Sequence, residues 1–175
     1  MYICTMKHFI LYLATVLCML TSCIGKVETT ANTDIVRVGQ KLPHFEVTMN
    51  NGTHISSSSL QGKASVIVFF NTLCGDCRRE LPIVQKVFAD YGAKVQFLCV
   101  SRAEGVTSVQ KFWTENALTL PYSAQETKDV YSLFATSTIP RVYISDVSGV
   151  VRKCFAESVS EKTLREAVGE VAKDY

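Results

Sequence analysis

Neither sign of charge dominates this chain: 18 Lys and Arg stand against 16 Asp and Glu in 175 residues, a net charge of +2. No basic run exceeds two residues, Arg78-Arg79 being one such pair. The electrostatic footprint that grips nucleic-acid phosphates is therefore missing. Metal-site spacing is missing as well. There is one Cys-x-x-Cys and no second, nor a His pair at ligand spacing, whereas a structural zinc site needs four ligands. His44 and His54 read as surface or loop residues. No apolar run reaches the ~20 residues that a membrane-spanning helix requires. The length leaves room for one domain and short additions, at ~100–200 residues per domain, and neither an internal repeat nor a second-domain boundary is present. Core material is not lacking. Apolar residues make up 47% of the chain and aromatics 10%, which excludes a disordered polymer.

The seven cysteines are unevenly placed. Cys4 and Cys18 fall in an apolar N-terminal stretch whose one full positive charge is Lys7, and residues 9–20 (FILYLATVLCML) are broken only by Thr15. This is short for a span and suits the apolar region of an export signal. The stretch ends in Leu20-Thr21-Ser22-Cys23, which resembles the lipobox of bacterial lipoproteins: an aliphatic residue, two small residues and the cysteine. The resemblance implies cleavage before Cys23 and a lipid on its sulfur, so the domain would be exported and lipid-anchored, facing the periplasm or the cell exterior. Cys74, Cys77, Cys99 and Cys154 then remain as thiols in a compartment where disulfides persist.

Polar residues after Cys23 read as a tether. The alternating segments FEVTM and THIS, joined through Asn51-Gly52, predict a β-hairpin. Residues 64–71 (ASVIVFFN) form a continuous apolar run, the mark of a strand buried on both faces. Helical spacing follows at Leu81, Val84, Phe88 and Tyr91, with Gly92 as a stop. A second buried strand is expected over 95–100, helices over 106–116 and 127–135, strands over 141–145 and 150–156, and a closing helix over 160–173. This order predicts an α/β fold, a mixed central sheet with helices on both faces and an N-terminal hairpin extension.

The chemistry is expected where the first buried strand meets its helix, at Cys74-Gly75-Asp76-Cys77. A helix N-terminus offers unpaired N–H groups and a positive dipole end, so a sulfur there can react as a thiolate. Two intervening residues bring the second sulfur within reach, and the pair can cycle between dithiol and disulfide. Asp76 opposes a charge on Cys74, while Arg78 and Arg79 favour it.

These residues resemble the thioredoxin superfamily, and its exported TlpA-like (ResA-like) branch in particular. Gly39-Gln40-Lys41-Leu42-Pro43-His44-Phe45, Gly62-Lys63, the Cys-x-x-Cys, Glu80-Leu81-Pro82 and Ile139-Pro140 fall in family order, covering residues 37–175. The resemblance implies a thioredoxin-like fold, Cys74 as nucleophile, Cys77 as resolving thiol and Ile139-Pro140 as a cis-proline site whose backbone pairs with substrate. It implies an acid/base role for Glu80, since Val68 stands where cytosolic thioredoxins bury an Asp. Leu73, Phe70 and Asn71 depart from the Trp, Trp and Ala common in relatives.

The expected organisation is a signal peptide over 1–22, a lipidated tether over 23–36 and a thioredoxin-like domain over 37–175. The expected function is thiol–disulfide exchange in the cell envelope, reducing protein disulfides, with cytochrome c maturation one family setting. No cofactor or metal is expected beyond the Cys74–Cys77 dithiol. Protein thiols and an upstream electron donor are the expected partners of a monomer held to the membrane through Cys23. Two alternatives remain open. One is a Cu-binding thioredoxin-like module, for which no Met-rich or His-adjacent stretch speaks. The other is a peroxiredoxin-like peroxidase, whose Pro-x-x-x-Thr-x-x-Cys pocket is replaced here by Ile67 and Asn71 before Cys74. Cys99 and Cys154 read as buried strand residues, with a second disulfide between them depending on their separation.

Overall fold

Apolar runs and polar turns divide the chain much as the sequence predicts. The computed structural model describes residues 33–174. The expected signal peptide, the lipidated Cys23 and most of the tether lie outside the described residues. A short hairpin, β1 (Glu46–Thr48) and β2 (His54–Ser56), precedes the central strand β3 (Ser65–Phe70) and helix α1 (Gly75–Tyr91). Strand β4 (Gln96–Ser101), helix α2 (Val106–Glu115), the two-residue strand β5 (Tyr122–Ser123) and the one-turn helix α3 (Asp129–Ser132) follow. Strands β6 (Arg141–Ser145) and β7 (Val151–Ala156) and helix α4 (Glu161–Val171) close the fold.

The main sheet has the order β5-β4-β3-β6-β7. Strands β3, β4 and β5 run parallel, and β6 and β7 return antiparallel. Central β3 is buried at every residue, which explains its unbroken apolar run. Its side chains alternate between two cores. Val66, Val68 and Phe70 pack under α1, α2 and α4 with Leu81, Val84, Trp113 and Leu164. Ile67 and Phe69 face Phe45, Val47 and Ile55 of the hairpin segment and Tyr131 and Phe134 from α3 and its exit. Trp113 is a core residue, its indole 4.9 Å from the Phe70 ring and its Nε1 donating to the Leu120 carbonyl at 2.8 Å.

Two expectations need correction. Residues 33–36, expected in the tether, pack onto the folded domain: Asp34 bridges Ala135, and Val36 is buried. Its polar composition hid this, because only Ile35-Val36 is apolar there and the contacts come from about one hundred residues downstream. The helix expected over 127–135 shrinks to Asp129–Ser132, and β5 was not expected at all, since two residues carry no period. The β6–β7 turn is held by the buried Asp146, which accepts from Ser148 N and Oγ, Val150 N and Arg152 Nε. Burial pushes its carboxyl up, but these donors outweigh it and hold the group at about 2.

Candidate active site

The parallel strands aim their C-terminal ends at one edge of the domain, and the loop after β3 turns there into α1. Asn71 starts the turn. Its side-chain oxygen accepts from Leu73 N at 2.9 Å and its carbonyl from Cys74 N at 3.1 Å, an Asx-type turn. Thr72 is pinned from the side, both its N–H (2.7 Å) and its hydroxyl donating to the buried carboxylate of Glu104. Nothing in the sequence singled out Glu104, an acidic residue in a loop after a strand. Leu73 is 88% exposed and marks the open side of the site.

Cys74 occupies the N-cap position of α1, with extended backbone and no side-chain capping bond. Its carbonyl accepts the first helical bond, from Arg78 N, so the sulfur sits where a Ser or Asp side chain would meet the free N–H groups of the first turn. The half-buried Cys74 thiol donates to the Ile139 carbonyl at 3.7 Å. The Ile139–Pro140 bond is cis, as the resemblance implied. Cys77, one turn further in, has no exposed surface, and burial first, then the neighbouring Cys74 thiol, pushes its own thiol well up. The two sulfurs are thus unequal: one reachable from outside, one sealed behind it.

Glu80 lies three residues beyond Cys77, hence on the same helix face. It is fully buried rather than a solvated first-turn carboxylate. Its Oε2 accepts from Val159 N at 3.1 Å, and Oε1 has no hydrogen-bond partner. Burial raises its carboxyl to about 7, against the downward pull of the Val159 N–H. A carboxyl that exchanges its proton near neutrality, one turn from a buried thiol, is suited to proton transfer.

Other expected residues fall elsewhere. His44 and His54 are exposed, His54 bonding Thr48 within the hairpin. Asp76 pairs with Arg79 on the surface of α1, and Arg78 lies 5.5 Å from the Phe112 ring. Cys99 and Cys154 belong to opposite cores. Two strands separate β4 from β7, placing the two cysteines about 14 Å apart at ~4.8 Å per strand spacing, beyond disulfide reach. Burial, then the carboxylate of Asp34, raises the Cys154 thiol to about 11.

The sequence pattern of the AhpC/TSA family matches residues 38–154, a span holding the loop, both cysteines, Glu80 and the cis-proline. The chain belongs to the AhpC/TSA family. A thiol–disulfide oxidoreductase ResA from Bacillus thuringiensis is 23% identical over 161 residues, covering 89% of this chain and 93% of that protein. The solution structure of a candidate protein disulfide isomerase from Bacteroides thetaiotaomicron superposes with a TM-score of 0.75 at 26% identity, covering 81% of this chain and 93% of the other. A thiol:disulfide interchange protein of Chlorobium tepidum gives a TM-score of 0.68 at 24% identity, covering 78% of this chain and 98% of the other. The fold of this AhpC/TSA-family member is therefore thioredoxin-like, and its class is that of the thiol–disulfide oxidoreductases.

Proposed function

We propose that this AhpC/TSA-family chain reduces protein disulfides in the bacterial cell envelope, using Cys74 and Cys77 as its dithiol and no bound cofactor. The observation that supports this best is the inequality of the two sulfurs, an accessible one at a helix N-terminus beside the cis-proline carbonyl and a buried one behind it. In the first step the Cys74 thiolate attacks a substrate disulfide, forming a mixed disulfide and releasing one substrate thiolate. The substrate backbone pairs along Ile139-Pro140. In the second step Cys77 gives its proton to the Glu80 carboxylate and attacks the Cys74 sulfur. The second substrate thiolate leaves and takes up a proton, so two electrons have passed to substrate and Cys74–Cys77 is the disulfide. A membrane electron donor restores the dithiol.

The lipobox-like Leu20-Thr21-Ser22-Cys23 supports anchoring through lipid on Cys23, and the likeness to TlpA-like reductases supports apocytochrome c cysteines as one substrate class. No helix of the described residues is long and apolar enough to cross a membrane.

The test is Cys77→Ser. Without the resolving thiol, the first step stops at the mixed disulfide, so incubation with a disulfide-bonded protein is expected to yield a covalent adduct on a non-reducing gel. Dithiothreitol should release it. Adduct formation no greater than in the unsubstituted protein would contradict the two-step mechanism.

A further inference from the structure

Thr138, two residues before Pro140, has φ +72°, a left-handed backbone that is unfavourable for a β-branched residue and persists only where its surroundings hold it. What holds it is specific. The Thr138 carbonyl accepts from Tyr131 Oη at 2.9 Å and from Arg141 Nε at 3.1 Å, and the same Nε donates to Ser137 O at 3.0 Å. Arg141 is the first residue of β6 and has no exposed surface, which is rare for arginine. Its two terminal nitrogens leave the loop and reach residues 33–34, pairing with the Asp34 carboxylate and the Thr33 hydroxyl.

Residues 33–36 are themselves tied to the loop's approach. Ile35 N and Val36 N donate to Phe134 O, and Thr136 N donates to Thr33 O. Tyr143 Oη donates to Asp34 Oδ1 at 3.1 Å and is also 3.0 Å from Phe134 O. The Cys154 thiol lies 3.6 Å from the same carboxylate oxygen. One guanidinium thus spans the gap between residues 33–34 and residues 137–138, using its fixed planar fork on both.

We infer that Asp34 and Arg141 are positioning residues: the pair forms a latch that sets the loop of residues 137–140, and with it the Ile139 carbonyl, for docking of protein substrates. The inference rests on the exchange reading above and adds a division of labour to it. A small disulfide needs the Cys74–Cys77 dithiol and its proton acceptor, but no backbone aligned along the loop. A protein disulfide needs its backbone aligned along the loop as well, and misplacing a binding element by about 1 Å can cost up to ~100-fold.

The experiment compares the full chain with Arg141→Lys and Asp34→Asn, using dithiothreitol as the regenerating thiol. Lys keeps the buried charge but cannot serve Asp34 and both loop carbonyls from one nitrogen. Asn keeps an acceptor for Arg141 and removes the charge, in case the lysine variant does not fold. KM and kcat are measured for insulin, and the rate is measured for a small aromatic disulfide. The latch predicts that KM for insulin rises about tenfold, while kcat and the small-disulfide rate stay within about twofold. Equal losses on both substrates, or no change on either, overturn the latch while leaving the exchange reading in place. An unsubstituted chain that reduces neither substrate overturns the exchange reading, and the latch with it.

Discussion

Glutamine in place of Glu80 is expected to make the protein more stable above pH 7 and slower at its reaction. In the fold the carboxyl titrates at about 7, against an ordinary value of 4.5. The native state therefore holds this proton more tightly than the unfolded chain does. The stability it contributes is complete below pH ~4.5, falls as pH rises, and is gone above pH ~7. At 1.36 kcal/mol per pH unit of displacement, the loss across that window is about 3 kcal/mol. Glutamine has the same shape, can still accept from Val159 N, and carries no charge at any pH, so it should remove the decline. The cost falls on the second chemical step. With no carboxylate to take the Cys77 proton, resolution of the mixed disulfide should slow by about 100-fold near pH 7.5, the lower end of what a positioned base contributes. Urea unfolding at pH 5 and pH 8 measures the first effect, and stopped-flow release of substrate thiol the second. An unchanged pH–stability slope in the variant would assign the titration to another group, and an unchanged resolution rate would remove Glu80 from the mechanism.

Serine in place of Cys74 should separate activity from stability even more sharply. Loss of the attacking sulfur removes the first covalent step, and exchange with any disulfide should fall by at least about 1000-fold, to the level of the unassisted regenerating thiol. Yet Cys74 fills the N-cap of α1 without making a capping bond. A serine hydroxyl is among the preferred groups there and is worth about 1 kcal/mol. The inactive variant is therefore expected to unfold at higher urea than the parent. Initial rates of insulin reduction and the urea midpoint check the two halves. Retained activity would place the reacting sulfur elsewhere. A lower midpoint would mean that the sulfur's packing contacts outweigh a missing cap.

Much of this arrangement is legible in the sequence because the relevant signals are local. The run Val66–Phe70 declares a strand buried on both faces, the cysteines fall where helical spacing begins, and Ile139-Pro140 stands out as a dipeptide. The unexpected features depend on partners distant in the chain. Glu80 is buried through Val159, 79 residues away, and no local pattern distinguishes it from a solvated first-turn glutamate. Glu104 braces Thr72 across 32 residues, and Arg141 reaches back 107 to Asp34. The same holds for the end of the expected tether. Residues 33–36 read as tether by composition, yet are tied down by Phe134–Thr136. A polar side chain's fate is set by what the fold brings opposite it, so the motif was visible and its bracing was not.

In the proposed mechanism Cys74 and Cys77 form one reducing two-electron couple. The direct measurement is a redox titration of the purified protein, with thiol alkylation and mass analysis assigning the cysteines that change state. A single two-electron transition carried by this pair alone is expected, near or below about −250 mV, at the reducing end of the thioredoxin-like range. A transition near about −120 mV would make the protein an oxidant. The absence of any two-electron couple at this pair would contradict the exchange mechanism itself.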